Sequence, residues 1–128
     1  MAVVAVVFEQ ASESTPWLRT VLDVAMPRDG LVVTDFPEGG KLVDIDLSEI
    51  LPSMSETDIY EYMGSLTTPP GSEGVRWIVL GKQAYAAPED VTRLEIAQGG
   101  SNIRPLQALG TRRVVRFPAP AGQDSASS

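Results

Sequence analysis

The chain has 128 residues, a formal net charge of −7, no histidine and no cysteine. This length suits one domain, and the acidic balance argues against partners that require a basic face, namely nucleic acid and anionic membrane surfaces. No apolar run approaches the roughly 20 residues that span a bilayer, and the absence of cysteine excludes disulfides, thiolate metal sites and a cysteine nucleophile. We expect a soluble globular protein without a recognisable signal peptide, and the sequence leaves its compartment open between the cytoplasm and an organelle interior.

The first 25 residues predict a strand followed by a helix. Residues 1–8 form a continuous apolar run, typical of a strand buried on both faces, and a signal-peptide remnant is the weaker alternative. Ser14 or Thr15 is expected to cap a helix that has Pro16 at its first position. Packing of Trp17 within the domain is favoured over a place in a partner interface. The predicted core-facing stripe consists of Trp17, Leu18, Val21, Leu22 and Ala25.

The next stretch predicts two short strands and one helical turn. Residues 31–36 favour a strand, and the alternation over residues 41–47 favours another that ends in a single helical turn. The acidic side chains Asp44, Asp46 and Glu49 could suggest a cation site. Their spacing instead fits strand alternation and helix capping, so we interpret them as a solvated face and predict no metal site there.

A stiff loop between two strands is the most distinctive feature. Residues 59–62 predict the strand that enters it, the loop contains Thr67-Thr68-Pro69-Pro70, and the strand that follows places Val75, Trp77 and Val79 on one face. Two prolines fix φ and remove two backbone donors, so the loop stands as a rigid wall that carries two hydroxyls. Such a wall suits a binding site, and a tight connection without a binding role is the alternative.

The last third of the sequence predicts a strand, a helix and a final strand. Residues 81–86 favour a short strand, Pro88 opens a helix that ends near Gly99, and residues 113–117 favour the last strand. Residues 118–128 are rich in Ala, Pro, Gly and Ser and predict a disordered tail. The basic cluster interpreted as a solvated strand end is Arg112, Arg113 and Arg116.

The segment from Tyr62 to Leu80 closely resembles the signature of the α-class carbonic anhydrases, in which Gly-Ser-Leu-Thr-Thr-Pro-Pro leads into a strand with a Val-x-Trp pattern. Downstream, Asn102-Ile103-Arg104-Pro105-Leu106-Gln107 resembles a second motif of that family, Asn-x-Arg-Pro-x-Gln. The resemblance extends from about Val3 to Phe117 and is loose before Tyr62. It implies a mixed α/β, mainly β fold with a mostly antiparallel sheet and a few short helices. It also implies a truncated form: residues 1–117 as the carboxy-terminal half domain and residues 118–128 as the tail.

The resemblance also implies a metal-dependent chemistry. In the family three histidines hold zinc, which lowers the pKa of bound water to about 7, and by resemblance those histidines lie upstream of Met1. Thr67 would orient the resulting hydroxide, and is vestigial in this chain alone, while Thr68 would lie near bicarbonate. The apolar residues implied to receive carbon dioxide are Leu66, Pro70 and Trp77. The residues implied to hold loops and strands together are Asn102, Arg104 and Gln107.

Because the sequence has no histidine, we predict no metal, no cofactor and no catalytic residue for this chain alone, and zinc only if the missing half is supplied. The first hypothesis is a catalytically inactive half domain that acts as a structural or interaction module in a larger assembly or oligomer. The second is the carboxy-terminal piece of an active carbonic anhydrase completed by a separate or omitted amino-terminal piece. The third is a homo-oligomer that binds a small apolar or anionic ligand beside Thr67 and Thr68. A protein partner or a second copy is expected to cover exposed sheet edges by strand addition.

Overall fold

The computed structural model describes residues 1–25, 46–53 and 55–121. In this part of the chain the fold is mainly β with two short α-helices, as predicted. The predicted strands over residues 31–36 and 41–45, with Asp44, and the tail beyond residue 121 lie outside the described residues. Neither described helix is long and apolar enough to cross a membrane. The elements in chain order are β1 (Ala2–Ala5), β2 (Phe8–Gln10), α1 (Pro16–Ala25), a 3-10 turn (Leu47–Glu49), β3 (Ile59–Ser65), β4 (Glu73–Leu80), β5 (Ala84–Ala86), α2 (Pro88–Ala97) and β6 (Val115–Phe117).

Residue contacts divide the chain into two compact units, and the first contains residues 1–7, 51–83 and those from 104 onward. Its strands form one sheet in the order β1-β4-β3-β6. β3 is antiparallel to both β4 and β6, whereas β1 is parallel to β4. Along β4, alternate residues share a face, so Val75, Trp77 and Val79 lie together as predicted.

The apolar run at residues 1–8 is divided between two sheets. β1 ends at Ala5, and β2 begins at Phe8 and pairs in parallel with β5 in the second unit. Among the described strands β1 has β4 as its one neighbour, and Val4 is 54% exposed. The prediction of one strand buried on both faces is therefore wrong. Apolar composition favours a strand without distinguishing the centre of a sheet from its edge.

The second unit contains residues 8–50 and 84–103, and its described core is built around α1. Leu22 is fully buried and Leu18 is nearly so, which confirms these two positions of the core-facing stripe predicted for this helix, whereas the side chain of Ala25 lies outside the described part. The side chains that pack together there are Phe8, Trp17, Leu18, Leu22, Ala86 and Leu94. Trp17 therefore packs within this unit.

Thr15 occupies the N-cap position of α1, as predicted, and its carbonyl accepts from the Leu18 and Arg19 amides at 2.9 and 3.3 Å. The side chains of Ser14 and Thr15 bond elsewhere. The Ser14 hydroxyl donates to the buried Asp90 carboxylate at 2.6 Å and accepts from the Ala87 amide at 2.8 Å. The Thr15 hydroxyl accepts from the Tyr85 amide at 2.9 Å. Both side chains satisfy partners far away in the sequence instead of the local helix amides. They tie the start of α1 to β5, to Ala87 and to the first turn of α2.

Candidate functional site

β3 and β4 form a hairpin whose loop spans residues 66–72. The ladder shifts register between Gly64 and Ser65, where the chain leaves the sheet. The Leu66 amide donates to the Ser72 carbonyl at 2.9 Å and closes the base of the loop. β3 is therefore longer than the strand predicted over residues 59–62, since backbone pairing continues up to the loop.

The loop turns at Gly71, where φ is +70°, a backbone conformation that favours glycine. The Gly71 amide donates to the Thr68 carbonyl at 2.8 Å. Pro69 and Pro70 lie inside this turn and contribute no amide donor. The side chains of Thr67 and Thr68 are exposed, and their hydroxyls form no hydrogen bond with any residue that the structure describes. The loop is a closed, stiff turn that presents two hydroxyls.

Two aromatic side chains support the base of this loop. Tyr62 and Trp77 face each other across the ladder, and their rings stack with centroids 6.4 Å apart and planes inclined by 8°. The Trp77 Nε1–H donates to the Ser65 carbonyl at 3.0 Å. A Cβ placed on Gly64 would lie 2.9 Å from Trp77 Cδ1, so the strand has no room for a side chain there. The indole thus fixes the point at which β3 enters the loop.

Arg104 links the second sequence motif to the loop. Its Nη1 donates to the Ser65 hydroxyl at 2.9 Å and to the Leu66 carbonyl at 2.7 Å. The side chain is partly buried. Hydrogen bonds from a charged donor are stronger than neutral ones, so Arg104 holds the first residues of the loop in place.

A groove with a volume of about 320 Å³ lies along the loop. It brings Thr67, Thr68 and Pro70 of the predicted pocket together with Arg104, to which the sequence assigned no pocket role. The predicted pocket residues Leu66 and Trp77 do not line it. The full lining is Thr67, Thr68, Pro69, Pro70, Gly71 and Arg104.

The other two residues of the second motif make few contacts in the part of the chain that the structure describes. Asn102 is exposed and forms no side-chain hydrogen bond there. Gln107 is also exposed, and its amide donates only to the nearby Pro105 carbonyl at 2.9 Å. The bonds from this motif to the hairpin loop come from Arg104.

The basic cluster lies at and just before β6 as predicted, with Arg113 exposed and the side chain of Arg116 60% exposed, and two of its arginines also contact the protein. Arg112 donates to the Ala108 carbonyl at 2.8 Å and to the Met63 carbonyl of β3 at 3.3 Å. Arg116 pairs with Asp58, with 2.7 Å between Nη2 and Oδ2. A hydrogen bond from the Ala119 amide, followed by that from Arg116, lowers the pKa of Asp58. Sequence reasoning missed the contacts with Met63 and Asp58 because these partners lie far from the arginines in the chain.

A family model described as eukaryotic-type carbonic anhydrase matches residues 1–117. The chain belongs to this family. The resemblance inferred from the two sequence motifs is confirmed.

The relatives of this chain in the family are longer than it is. The chain is similar to the carbonic anhydrase of Klebsiella pneumoniae, with 35% identity over 116 residues, or 90% of this chain and 43% of that protein. It is also similar to the structure of a hyperthermostable carbonic anhydrase identified from an active hydrothermal vent chimney, with 31% identity, a TM-score of 0.68, and coverage of 91% of this chain and 48% of that one. For the α-carbonic anhydrase of Thermovibrio ammonificans in complex with sulfanilamide, the identity is 35%, the TM-score 0.67, and the coverage 88% and 46%. The chain spans less than half the length of each.

Zinc is the metal that the family resemblance implies, and the residues present do not fit it. The 128 residues contain no histidine and no cysteine, whereas zinc sites in proteins rely on those ligands, supplemented by carboxylates. In the described residues no three Asp or Glu side chains come together to hold an ion. The groove offers hydroxyls, proline rings and a guanidinium, which repels a cation. No hydration step can be assigned to these residues through a metal.

Proposed function

We propose that these 128 residues act as a catalytically inactive carbonic-anhydrase-like module with a structural or interaction role, as a subunit of a larger assembly or oligomer. The observation that carries the proposal is the lack of metal ligands. This chain belongs to the family but contains no histidine and no cysteine. The loop can form one wall of a pocket, but hydroxyls and a guanidinium do not generate a nucleophile from water at neutral pH. Catalysis would require ligands that this chain does not supply.

Exposed apolar side chains support the interaction role. Val4 of β1, Met63 of β3 and Phe117 of β6 are 54%, 51% and 50% exposed. The strand registers place all three on the same face of the four-stranded sheet. The ion pair between Glu61 and Arg76 lies on this face among them, and exposed apolar side chains bordered by polar ones mark association surfaces in many soluble proteins. We therefore propose that a protein partner or a second copy covers this face.

The edge formed by β1 supports association through backbone pairing. β1 reads Ala-Val-Val-Ala, without proline or charge, and its one neighbour among the described strands is β4. The opposite edge, β6, carries Arg116 and is followed directly by Pro118, and charges and prolines discourage strand addition. A partner strand would therefore add at β1.

Three measurements on the purified chain test this proposal. After equilibration with zinc, mass spectrometry should find far less than one zinc ion per chain. In stopped-flow assays, carbon dioxide should be hydrated no faster than in buffer without protein. Light scattering should report a mass above that of one chain. Val4→Lys should weaken self-association, whereas Val91→Lys, at a residue of similar exposure on α2, should not. Stoichiometric zinc, or hydration faster than buffer, would eliminate the inactive module.

A second candidate function is the carboxy-terminal part of an active carbonic anhydrase. The observation that favours it is that Thr67, Thr68 and Pro70 line an open groove in a chain that spans less than half the length of relatives named carbonic anhydrases. Mixing the chain with a polypeptide that carries a His-x-His strand, in the presence of zinc, should then produce sulfonamide-sensitive hydration. Thr67→Val should reduce that activity, and Thr92→Val on α2 should leave it unchanged. The absence of hydration in every such mixture would contradict this candidate.

A further inference from the structure

The ion pair between Glu61 and Arg76 lies at the centre of the sheet face that carries Val4, Met63 and Phe117. Glu61 belongs to β3 and Arg76 to β4, the two central strands, and their register places both side chains on this face. Arg76 Nη2 donates to Glu61 Oε2 at 2.7 Å. This hydrogen bond lowers the pKa of Glu61, so both groups are charged at neutral pH. The face therefore combines exposed apolar side chains with one acid and one base.

The ion pair retains bonding capacity on its solvent side. The Arg76 side chain is 55% exposed and the Glu61 side chain 25% exposed. Among the residues that the structure describes, Glu61 Oε1 accepts no hydrogen bond, and Arg76 Nε and Nη1 donate none. A second carboxylate can therefore bind the remaining donors of Arg76, and a second guanidinium can bind the remaining oxygen of Glu61.

This face is complementary to itself. The side chains around the ion pair are apolar and include Val4, Met63, Ile78, Val115 and Phe117. The face is thus neutral in a chain with a net charge of −7, and a neutral face does not select a strongly basic or strongly acidic partner. A two-fold axis between two stacked sheets places Glu61 of each copy opposite Arg76 of the other. Stacked sheets lie about 10 Å apart, a gap that these two long side chains can bridge together.

We propose that two copies of this chain stack through this face, with Glu61 of each copy bound to Arg76 of the other. The inference rests on the interaction role proposed above and commits the face to a second copy. Four strands spaced about 4.8 Å apart, with seven residues in β3, give a face of about 19 by 24 Å. Two such faces bury roughly 900 Å² in total, a size typical of reversible association. We expect a Kd of about 10–100 μM.

Exchanging the two charges tests the reciprocal pairing. Glu61→Arg gives a face with two positive charges, and Arg76→Glu gives a face with two negative charges. In sedimentation equilibrium at concentrations that bracket the expected Kd, each variant alone should dimerise at least about tenfold more weakly than the wild type, because like charges face each other. In an equimolar mixture opposite charges face each other again, so heterodimers should form with about the wild-type Kd.

Two further variants control for folding and for general charge effects. Glu61→Arg combined with Arg76→Glu in one chain keeps an ion pair of reversed polarity within each copy, so this double variant should dimerise like the wild type. Glu56→Arg disrupts an ion pair between two loop residues, Glu56 and Lys82, which are 3.3 Å apart with side chains 60% and 56% exposed. This variant should leave the Kd of the dimer unchanged. Circular dichroism verifies that each variant is folded.

The possible results separate this inference from the proposal on which it rests. A wild-type chain that stays monomeric at every concentration would refute the second copy, even if the chain binds another protein. A wild-type dimer that neither charge exchange weakens would refute this face and leave strand pairing at β1 as the mode of association. Weakened single variants whose mixture forms no heterodimer would refute the reciprocal ion pairs. The zinc and hydration measurements described above decide the inactive module independently of all three results.

Discussion

Replacing Gly64 by alanine tests whether the stacked aromatic pair fixes the strand that enters the loop. The new Cβ would lie 2.9 Å from Trp77 Cδ1, closer than real Cβ atoms come, and 3.0 Å from Tyr62 Cε2, which is tighter than most Cβ contacts. Neither ring can move alone, because the two are stacked and the Trp77 Nε1–H is bonded to the Ser65 carbonyl. Overpacking costs about 1–3 kcal/mol and a lost hydrogen bond about 1 kcal/mol. We expect Gly64→Ala to lower the free energy of unfolding by about 2–4 kcal/mol.

Urea denaturation followed by tryptophan fluorescence measures this loss, and near-ultraviolet circular dichroism reports whether the stack survives. Trp77→Leu removes the ring that the methyl group would meet, so in that background the cost of Gly64→Ala should fall below about 1 kcal/mol. Gly74→Ala is the contrasting control, since a Cβ there meets no atom within 4 Å and only the φ of +82° opposes it. The reasoning is refuted if Gly64→Ala costs the same with and without the indole.

Three further predictions concern buried polar groups. Ser14→Ala leaves a buried carboxylate and a buried amide without their hydroxyl partner and should cost about 1–3 kcal/mol in urea denaturation, whereas Thr20→Ala on the exposed face of α1 should cost less. The hydrogen bond from Ser14 is the main cause that lowers the pKa of Asp90. The Asp90 carboxylate therefore stabilises the fold above its ordinary pKa of about 4 and loses that contribution as the pH falls through the lowered value. In Asp90→Asn the free energy of unfolding should therefore decrease less than in the wild type as the pH is lowered into the acid range. The Lys82 amide donates to Thr57 Oγ1 at 2.8 Å, so Thr57→Val leaves this amide without its acceptor and should lower the free energy of unfolding by about 1–3 kcal/mol. An unchanged midpoint of urea denaturation would contradict this prediction.

Local periodicity was sufficient to predict the elements whose partners are close in sequence. The apolar spacing of α1 indicated which side chains are buried, and the start of α2 at Pro88 followed from the preference of proline for the first helical position. The loop residues Thr67 and Thr68 could be singled out because a stiff loop is encoded by consecutive residues. For the same reason the 3-10 turn at Leu47–Glu49 was predictable, and Asp46 caps it by accepting from the Ser48 amide at 2.8 Å.

Contacts between distant residues could not be predicted from one sequence. Ser14 and Asp90 are separated by 76 positions, and a serine before a proline is equally consistent with a local helix cap. The apolar run at residues 1–8 carried no signal that it enters two sheets. The resemblance implied that Arg104 holds loops together. That Arg104 also lines a groove depends on the conformation of the loop, which the sequence alone does not give.

The parallel pairing of β1 with β4 has a consequence for how the chain acquires its structure. Ala2 pairs with Arg76, so synthesis from the amino terminus releases β1 roughly 4 to 15 seconds before its neighbour exists, at about 5–20 residues per second. β2 waits for β5 in the same way, since Phe8 pairs with Ala84. An uncharged, valine-rich segment must avoid incorrect partners throughout that interval, and such distant pairings form slowly. β1 can take its place in the sheet only after β4 has been synthesised.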